Sequence, residues 1–97
     1  MNYDVIISPH VRRRLVAWGL PDAVFVEAYL QVTRNLADQP SLFLKRVKKT
    51  FEGMVYHMTM VDPTNRFCEH SIYFNVVYAA NEKTIMVVNA KYERKTL

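Results

Sequence analysis

Positively charged side chains cluster in two short segments of this sequence. The segment around residues 45–49 carries four of them: Lys45, Arg46, Lys48 and Lys49. Residues 91–95 carry three more and an aromatic ring: Lys91, Tyr92, Arg94 and Lys95. Ammonium and guanidinium groups bind phosphate oxygens, and an aromatic ring can stack on an unpaired base. With Tyr73 as a second ring, the two segments predict an anion-binding groove, provided that the basic connector crosses the sheet near the end of the last strand.

Two histidines are the side chains best suited to transfer protons near neutral pH. If residues 51–60 pair with residues 67–79 around a turn centred near residues 63–64, the register places His57 opposite His70. Such a pair can act as base and acid, or supply two metal ligands, although half-buried histidines without a chemical role are more frequent. The sequence shows no third ligand, so we predict neither a metal site nor a cofactor.

Length and composition predict one globular domain, residues 1–97, because half of the residues are apolar and only two are glycine. The formal net charge of +4 favours an anionic partner without specifying it. Cys68 is the only cysteine, which excludes an intramolecular disulfide and favours a reducing cytoplasm. It can share a strand face with His70, but a lone cysteine is more often inert than nucleophilic. The sequence shows no signal peptide and no apolar run long enough to span a bilayer.

Local signals predict two early helices. Residues 3–8 form a short strand candidate, and Ser8-Pro9 is typical of a helix start. Gly19 would end this first helix. Pro21-Asp22 opens a second one, which residues 38–40 would end. Its predicted apolar stripe comprises Phe25, Val26, Tyr29, Leu30, Val32 and Leu36.

Alternating apolar residues predict strands at 51–60, 67–79 and 84–90. Residues 41–50 are compatible with a short helix or an irregular basic connector. The order is therefore β-α-α-β-β-β, with the three late strands in an antiparallel meander joined by the first strand. We predict an α+β fold, in which a helical hairpin packs on a twisted antiparallel sheet. Exposed edges of that sheet would let the chain pair with itself or with an extended partner segment.

This element order resembles the RelE/ParE superfamily of bacterial toxin–antitoxin modules over nearly the whole chain. Residues 3–9 resemble the family's first strand and helix start. Pro40 with residues 43–48 resembles its basic connector. Residues 74–78 resemble its Y-R-x-x-Y strand, and residues 85–94 its closing strand with a K-R-E-R end.

The resemblance implies a RelE-like fold and a cytoplasmic toxin of a type II system, bound by a cognate antitoxin. RelE-type members act at the ribosome as mRNA endoribonucleases and so inhibit translation. For such an activity the expected catalytic residues are Lys48, Lys49, His70, Tyr92 and Arg94. The expected RNA-binding residues are Lys45, Arg46, Tyr73, Lys91 and Lys95.

Two alternatives remain open. ParE-type members share the fold, lack the cleaving residues and poison DNA gyrase. Asn75 stands where the family's strand has an arginine, which favours such a non-catalytic protein-binding toxin or a degenerate member. The other alternative is an unrelated small basic domain that serves as a subunit or adaptor.

Overall fold

Two helices and five strands make up the computed structural model, which describes residues 3–38, 44–47, 53–79 and 83–97. The helices are α1 (Pro9–Ala17) and α2 (Asp22–Asp38). The strands are β1 (Asp4–Ile7), β2 (Leu44–Val47), β3 (Gly53–Asp62), β4 (Asn65–Ala79) and β5 (Thr84–Thr96). Within these residues, neither helix is long and apolar enough to cross a membrane.

All five strands form one sheet in the order β1-β5-β4-β3-β2. Neighbours from β2 to β5 are antiparallel, whereas β1 is parallel to β5. The predicted α+β class is therefore confirmed, with a mixed rather than wholly antiparallel sheet. The ambiguous stretch 41–50 contains β2, which is neither a helix nor irregular, because residues 53–56 of β3 offer its backbone a pairing partner.

The ends of α1 lie where the sequence predicts them. Ser8 is the N-cap, and its hydroxyl accepts a hydrogen bond from the Val11 N–H at 3.3 Å, with Pro9 at the first helical position. Gly19 follows the helix with φ of +63°, a conformation in which an L side chain is strained.

The buried stripe of α2 differs from the prediction. Its buried residues recur every fourth position, at Val24, Ala28, Val32 and Leu36. Val26 and Leu30 are exposed, because they lie about 200° around the helix from Val24 and Ala28, respectively. Apolar character alone therefore assigned them to the wrong face.

Both helices pack on one side of the sheet, which we call the helix-covered face. The core joins buried helix residues such as Val11, Leu15 and Val32 to sheet side chains. The sheet supplies Tyr56, Met58, Ile72, Phe74, Val76, Ile85, Val87 and Ala90. Neither helix covers the opposite side, the open face, which includes the exposed His57 and Val77.

The pairing of β3 with β4 contains an irregularity that changes the predicted register. Asp62 pairs with Asn65 around the predicted turn, but the next pair is Val61 with Glu69. Residues 66–68 of β4 therefore have no partner in β3. The prediction that His57 lies opposite His70 is wrong: His57 pairs with Tyr73, and His70 pairs with Met60.

A bulge in β5 reverses which of its residues face the helices. Asn75 pairs with Asn89 but Val76 pairs with Val87, which leaves Val88 without a partner. Before the bulge the odd-numbered Val87 is buried; after it the even-numbered Ala90 is buried. If β5 alternated regularly through Val88 instead of bulging there, every side chain after Val88 would lie on the other face.

We expect Gly19→Ala to lower the free energy of unfolding by about 1–2 kcal/mol, because a Cβ at positive φ is strained. A Cβ there would contact nothing within 4 Å, so steric overlap adds no further cost. Gly19→Asn should lose less, since asparagine tolerates this conformation. Urea denaturation measures both values, and unchanged stability of the alanine variant would contradict this account.

Candidate functional site

A chain of three hydrogen-bonded side chains lies at the end of the helix-covered face. Its centre is His70 of β4, which is 3% exposed. The His70 Nε2 lies 2.7 Å from Oδ2 of Asp62 at the end of β3. The His70 Nδ1 lies 2.6 Å from the hydroxyl of Tyr92 on β5. Three strands thus bring together a carboxylate, an imidazole and a phenol.

Asp62 is held as a carboxylate by donors on both oxygens. Oδ2 faces His70, while Oδ1 accepts the backbone N–H and the hydroxyl of Thr64, each at 2.8 Å. The hydrogen bond from His70, followed by those from Thr64, lowers the pKa of Asp62 far below its ordinary value. Because an ionised carboxylate only accepts, Nε2 of His70 must carry the proton toward Asp62.

The Tyr92 hydroxyl completes this assignment. In a neutral imidazole with a proton on Nε2, Nδ1 is an acceptor, so the tyrosine O–H donates to it. Burial raises the pKa of Tyr92, which keeps the phenol protonated. The ring is fixed between Trp18 and His70, with ring centroids 5.4 Å and 5.7 Å away.

Arg94 places a positive charge beside this chain. It is the backbone partner of His70, and its Nε donates to Sγ of the buried Cys68 at 3.0 Å. That hydrogen bond raises the pKa of Arg94. The residue as a whole is exposed, so its charge is available to an anion from solvent.

The same end of the sheet contains a group of three potential metal ligands that the sequence did not show and that does not include His57. Ligand atoms of Asp62, Cys68 and His70 all lie within 4.8 Å of one another. A cation there would have to displace the Asp62–His70 hydrogen bond and lie near the guanidinium of Arg94. The arrangement therefore favours shared protons over a metal ion.

The structure brings three of the predicted site residues together and separates others. His70, Tyr92 and Arg94 share the helix-covered face. Tyr73, Lys91 and Lys95 lie on the open face: Tyr73 pairs with Lys91 and stacks on His57, with ring centroids 4.1 Å apart. Glu93 lies between the two lysines on the open face of β5, and Glu69 of β4 pairs with Lys95. This part of the open face is therefore not a cationic surface.

The sequence predicts that the basic connector lies near the end of β5. The part of the connector that forms β2 does not lie there. Lys45 pairs with Val55 and Arg46 with Met54, on the edge strand of the sheet. Strands β3 and β4 separate β2 from β5, a distance of about 14 Å. Lys48 and Lys49 lie outside the described residues.

Sequence reasoning missed Asp62, Thr64 and Trp18 as members of the site. For this part of the chain the sequence predicts only a turn centred near residues 63–64. An aspartate followed two residues later by threonine is a signal for the side-chain-to-backbone bond that fixes this turn. The signal identifies a held carboxylate, but it does not reveal that His70 lies beside it.

The fold is similar to that of a solved chain from the RelBE2 toxin–antitoxin complex of Mycobacterium tuberculosis. The TM-score is 0.67, the match covers 96% of this chain and 93% of that chain, and the sequence identity is 13%. At so low an identity the likeness shows the fold alone, and it confirms the predicted RelE-like architecture. No protein-family model matches the sequence, and no curated protein matches it significantly.

We expect Asp62→Asn to destabilise the protein most above about pH 4, the ordinary pKa of an unfolded aspartate. Because folding lowers the pKa of Asp62, its contribution is present above that value and is lost as the pH falls toward the folded pKa. The stability gap between the native protein and the variant should therefore narrow on acidification. Urea denaturation at a series of pH values measures it.

Asp38→Asn is the matched control, because Asp38 is exposed at the end of α2. It should change the free energy of unfolding by less than about 0.5 kcal/mol. A gap for Asp62→Asn that stays constant down to pH 2 would show that the carboxylate charge does not matter.

Proposed function

We propose that this protein is the toxin of a type II toxin–antitoxin system and cleaves mRNA at the ribosome. The observation that carries the proposal is the Asp62–His70–Tyr92 chain with the cationic Arg94 beside it. The RelE-like fold is consistent with it. A cytoplasmic location and a cognate antitoxin belong to the same proposal.

Cleavage of RNA by its own 2′-hydroxyl needs a base, an acid and stabilisation of the charged phosphorane. As the 2′-oxygen attacks phosphorus, its proton passes to the Tyr92 oxygen while the phenol proton passes to Nδ1 of His70. The carboxylate of Asp62 stabilises the imidazolium that forms, as in hydroxyl–imidazole–carboxylate triads. The bond from phosphorus to the 5′-oxygen breaks, and the proton returns through Tyr92 to that oxygen.

Two features favour a neutral tyrosine as the relay rather than a tyrosinate. Burial raises the pKa of Tyr92, so a preformed phenolate is disfavoured. The hydroxyl lies 2.6 Å from Nδ1 of His70, which in the neutral imidazole is an acceptor and can take the proton at the moment the substrate delivers another. The products would be a 2′,3′-cyclic phosphate and a free 5′-hydroxyl.

Among the residues that the structure describes, Arg94 is the cation suited to stabilise the phosphorane. Asn75, which stands at the position of the family's strand arginine, brings no charge. Lys48 and Lys49 remain expected contributors by resemblance. The principal electrostatic role therefore belongs to Arg94.

We expect Tyr92→Phe to abolish growth arrest on induced expression in bacteria. The variant keeps the ring between Trp18 and His70 but lacks the proton that the relay moves. Loss of such an acid–base group should slow mRNA cleavage by about 10²- to 10⁴-fold. Primer extension on reporter mRNA in a purified translation system measures this rate.

Tyr73→Phe is the matched control, since Tyr73 lies on the open face and would keep its stacking on His57. It should remain toxic. Toxicity of Tyr92→Phe equal to that of the native chain would reject the relay. Growth arrest of the native chain with intact mRNA and a DNA-damage response would instead support the gyrase-directed alternative.

We expect Arg94→Ala to reduce cleavage by about 10²- to 10³-fold, as loss of one transition-state donor does elsewhere. Arg34→Ala removes an exposed positive charge from α2, to which no role in the site is assigned, and should leave the rate nearly unchanged. The same translation assay compares the two. Equal losses would show that net charge, not position, matters.

Combining Arg94→Ala with Lys48→Ala and Lys49→Ala tests the residues expected by resemblance. The triple variant should lose toxicity while its circular dichroism spectrum stays native. Full toxicity of a folded triple variant would refute this assignment of the catalytic cations.

A further inference from the structure

A cavity of about 430 Å³ lies at the hairpin between β3 and β4. Its lining residues are Asp62, Pro63, Thr64, Asn65, Arg66 and Phe67. Asp62 lines this cavity and also contacts His70, whose Nε2 lies 2.7 Å from Oδ2. The volume lies within the range of small-ligand sites.

Phe67 presents an aromatic ring to solvent next to this cavity. It is 60% exposed, and it is the one aromatic residue among the large apolar side chains that stand exposed in the described part of the chain. Burying such a ring would stabilise the protein by about 1.5–3 kcal/mol, and this stabilisation is largely forgone here. An exposed ring beside the proposed catalytic chain therefore indicates a surface that binds a ligand.

The backbone holds Phe67 firmly. Its N–H donates to the Asn65 side-chain oxygen at 3.0 Å, and its carbonyl accepts from the Leu97 N–H at 2.6 Å. Residues 66–68 have no partner in β3, so this short segment departs from the regular ladder. A ring on a fixed backbone loses little freedom when a planar ligand stacks on it.

Arg66 adds a cation to the same ring. Its guanidinium carbon lies 5.4 Å from the Phe67 ring centroid, within the range of a cation–π contact. Single-stranded nucleic acid is bound by such a combination, in which an aromatic ring stacks on a base and a cation meets the phosphate. Thr64 and Asn65 supply polar groups on the same wall.

We propose that this cavity binds one unpaired nucleotide of the RNA substrate, with its base stacked on Phe67 and its phosphate at Arg66. The inference rests on the proposed function and adds a binding subsite to it. Because Asp62 separates the cavity from His70, the bound nucleotide would flank the one that is cleaved. The free oxygen and nitrogen groups of the base would face Thr64 and Asn65.

The test measures binding separately from cleavage. The probe is a fluorescein-labelled, single-stranded 2′-O-methyl oligonucleotide, which lacks the attacking hydroxyl, and fluorescence anisotropy gives its dissociation constant. Phe67→Ala should weaken binding roughly 5- to 150-fold, which corresponds to the loss of one base stack. Phe67→Tyr should bind like the native chain.

Val77→Ala is the matched control, since Val77 is an apolar residue of β4 that is also exposed but lies away from the cavity. It should bind the probe normally. Arg66→Gln should reduce the slope of log affinity against log salt by about 0.7, the value for one phosphate on a single strand. Phe67→Ala should leave that slope unchanged.

Equal affinity of Phe67→Ala and the native chain would overturn the subsite, and so would a native chain that does not bind the probe. A Phe67→Ala variant that loses only binding to a protein partner would overturn it as well. The Tyr92→Phe cleavage assay decides the proposed function independently. Probe binding that depends on Phe67, in a native chain that cleaves no RNA, would leave the subsite standing and reject the nuclease.

Discussion

Side chains of a β-strand alternate between its two faces, and the candidate site depends on where this alternation is interrupted. Regular alternation from Val87 would place Tyr92 and Arg94 on the open face, and the bulge at Val88 places them on the helix-covered face instead. His70 already lies there, on the neighbouring strand. The bulge therefore decides whether the phenol and the guanidinium can reach the imidazole at all.

The contact between Asp62 and His70 determines which imidazole nitrogen carries the proton toward the carboxylate. Both side chains are almost fully buried, and a buried carboxylate is costly unless every oxygen is hydrogen-bonded. Thr64 and His70 meet that requirement. Asp62 fixes a proton on Nε2, so in the neutral imidazole the other ring nitrogen accepts, and Tyr92 donates to it.

Local signals in the sequence were sufficient for the helix ends at Ser8 and Gly19 and for the order of the main strands. These local signals gave wrong predictions where tertiary packing determines which face is covered and how strands pair. Val26 and Leu30 are apolar yet exposed, because only the neighbouring sheet determines which stripe of α2 is covered. The register of β3 and β4 depends on unpaired residues that no local pattern marks. Tyr92 and Arg94 were identified by resemblance and His70 as a candidate acid or base, whereas Asp62 became visible only once the fold placed it beside His70.

Strand β1 has a single neighbour in the sheet, and that neighbour is β5, which follows it by about eighty positions. A nascent chain emerging from the ribosome exposes the apolar side chains of β1 long before residues 84–96 can cover them. The sheet cannot close, and Tyr92 cannot meet His70, until that late segment has been synthesised. Partly made chains would therefore lack the Asp62–His70–Tyr92 chain, and the time at which the last strand emerges would set when the site first exists.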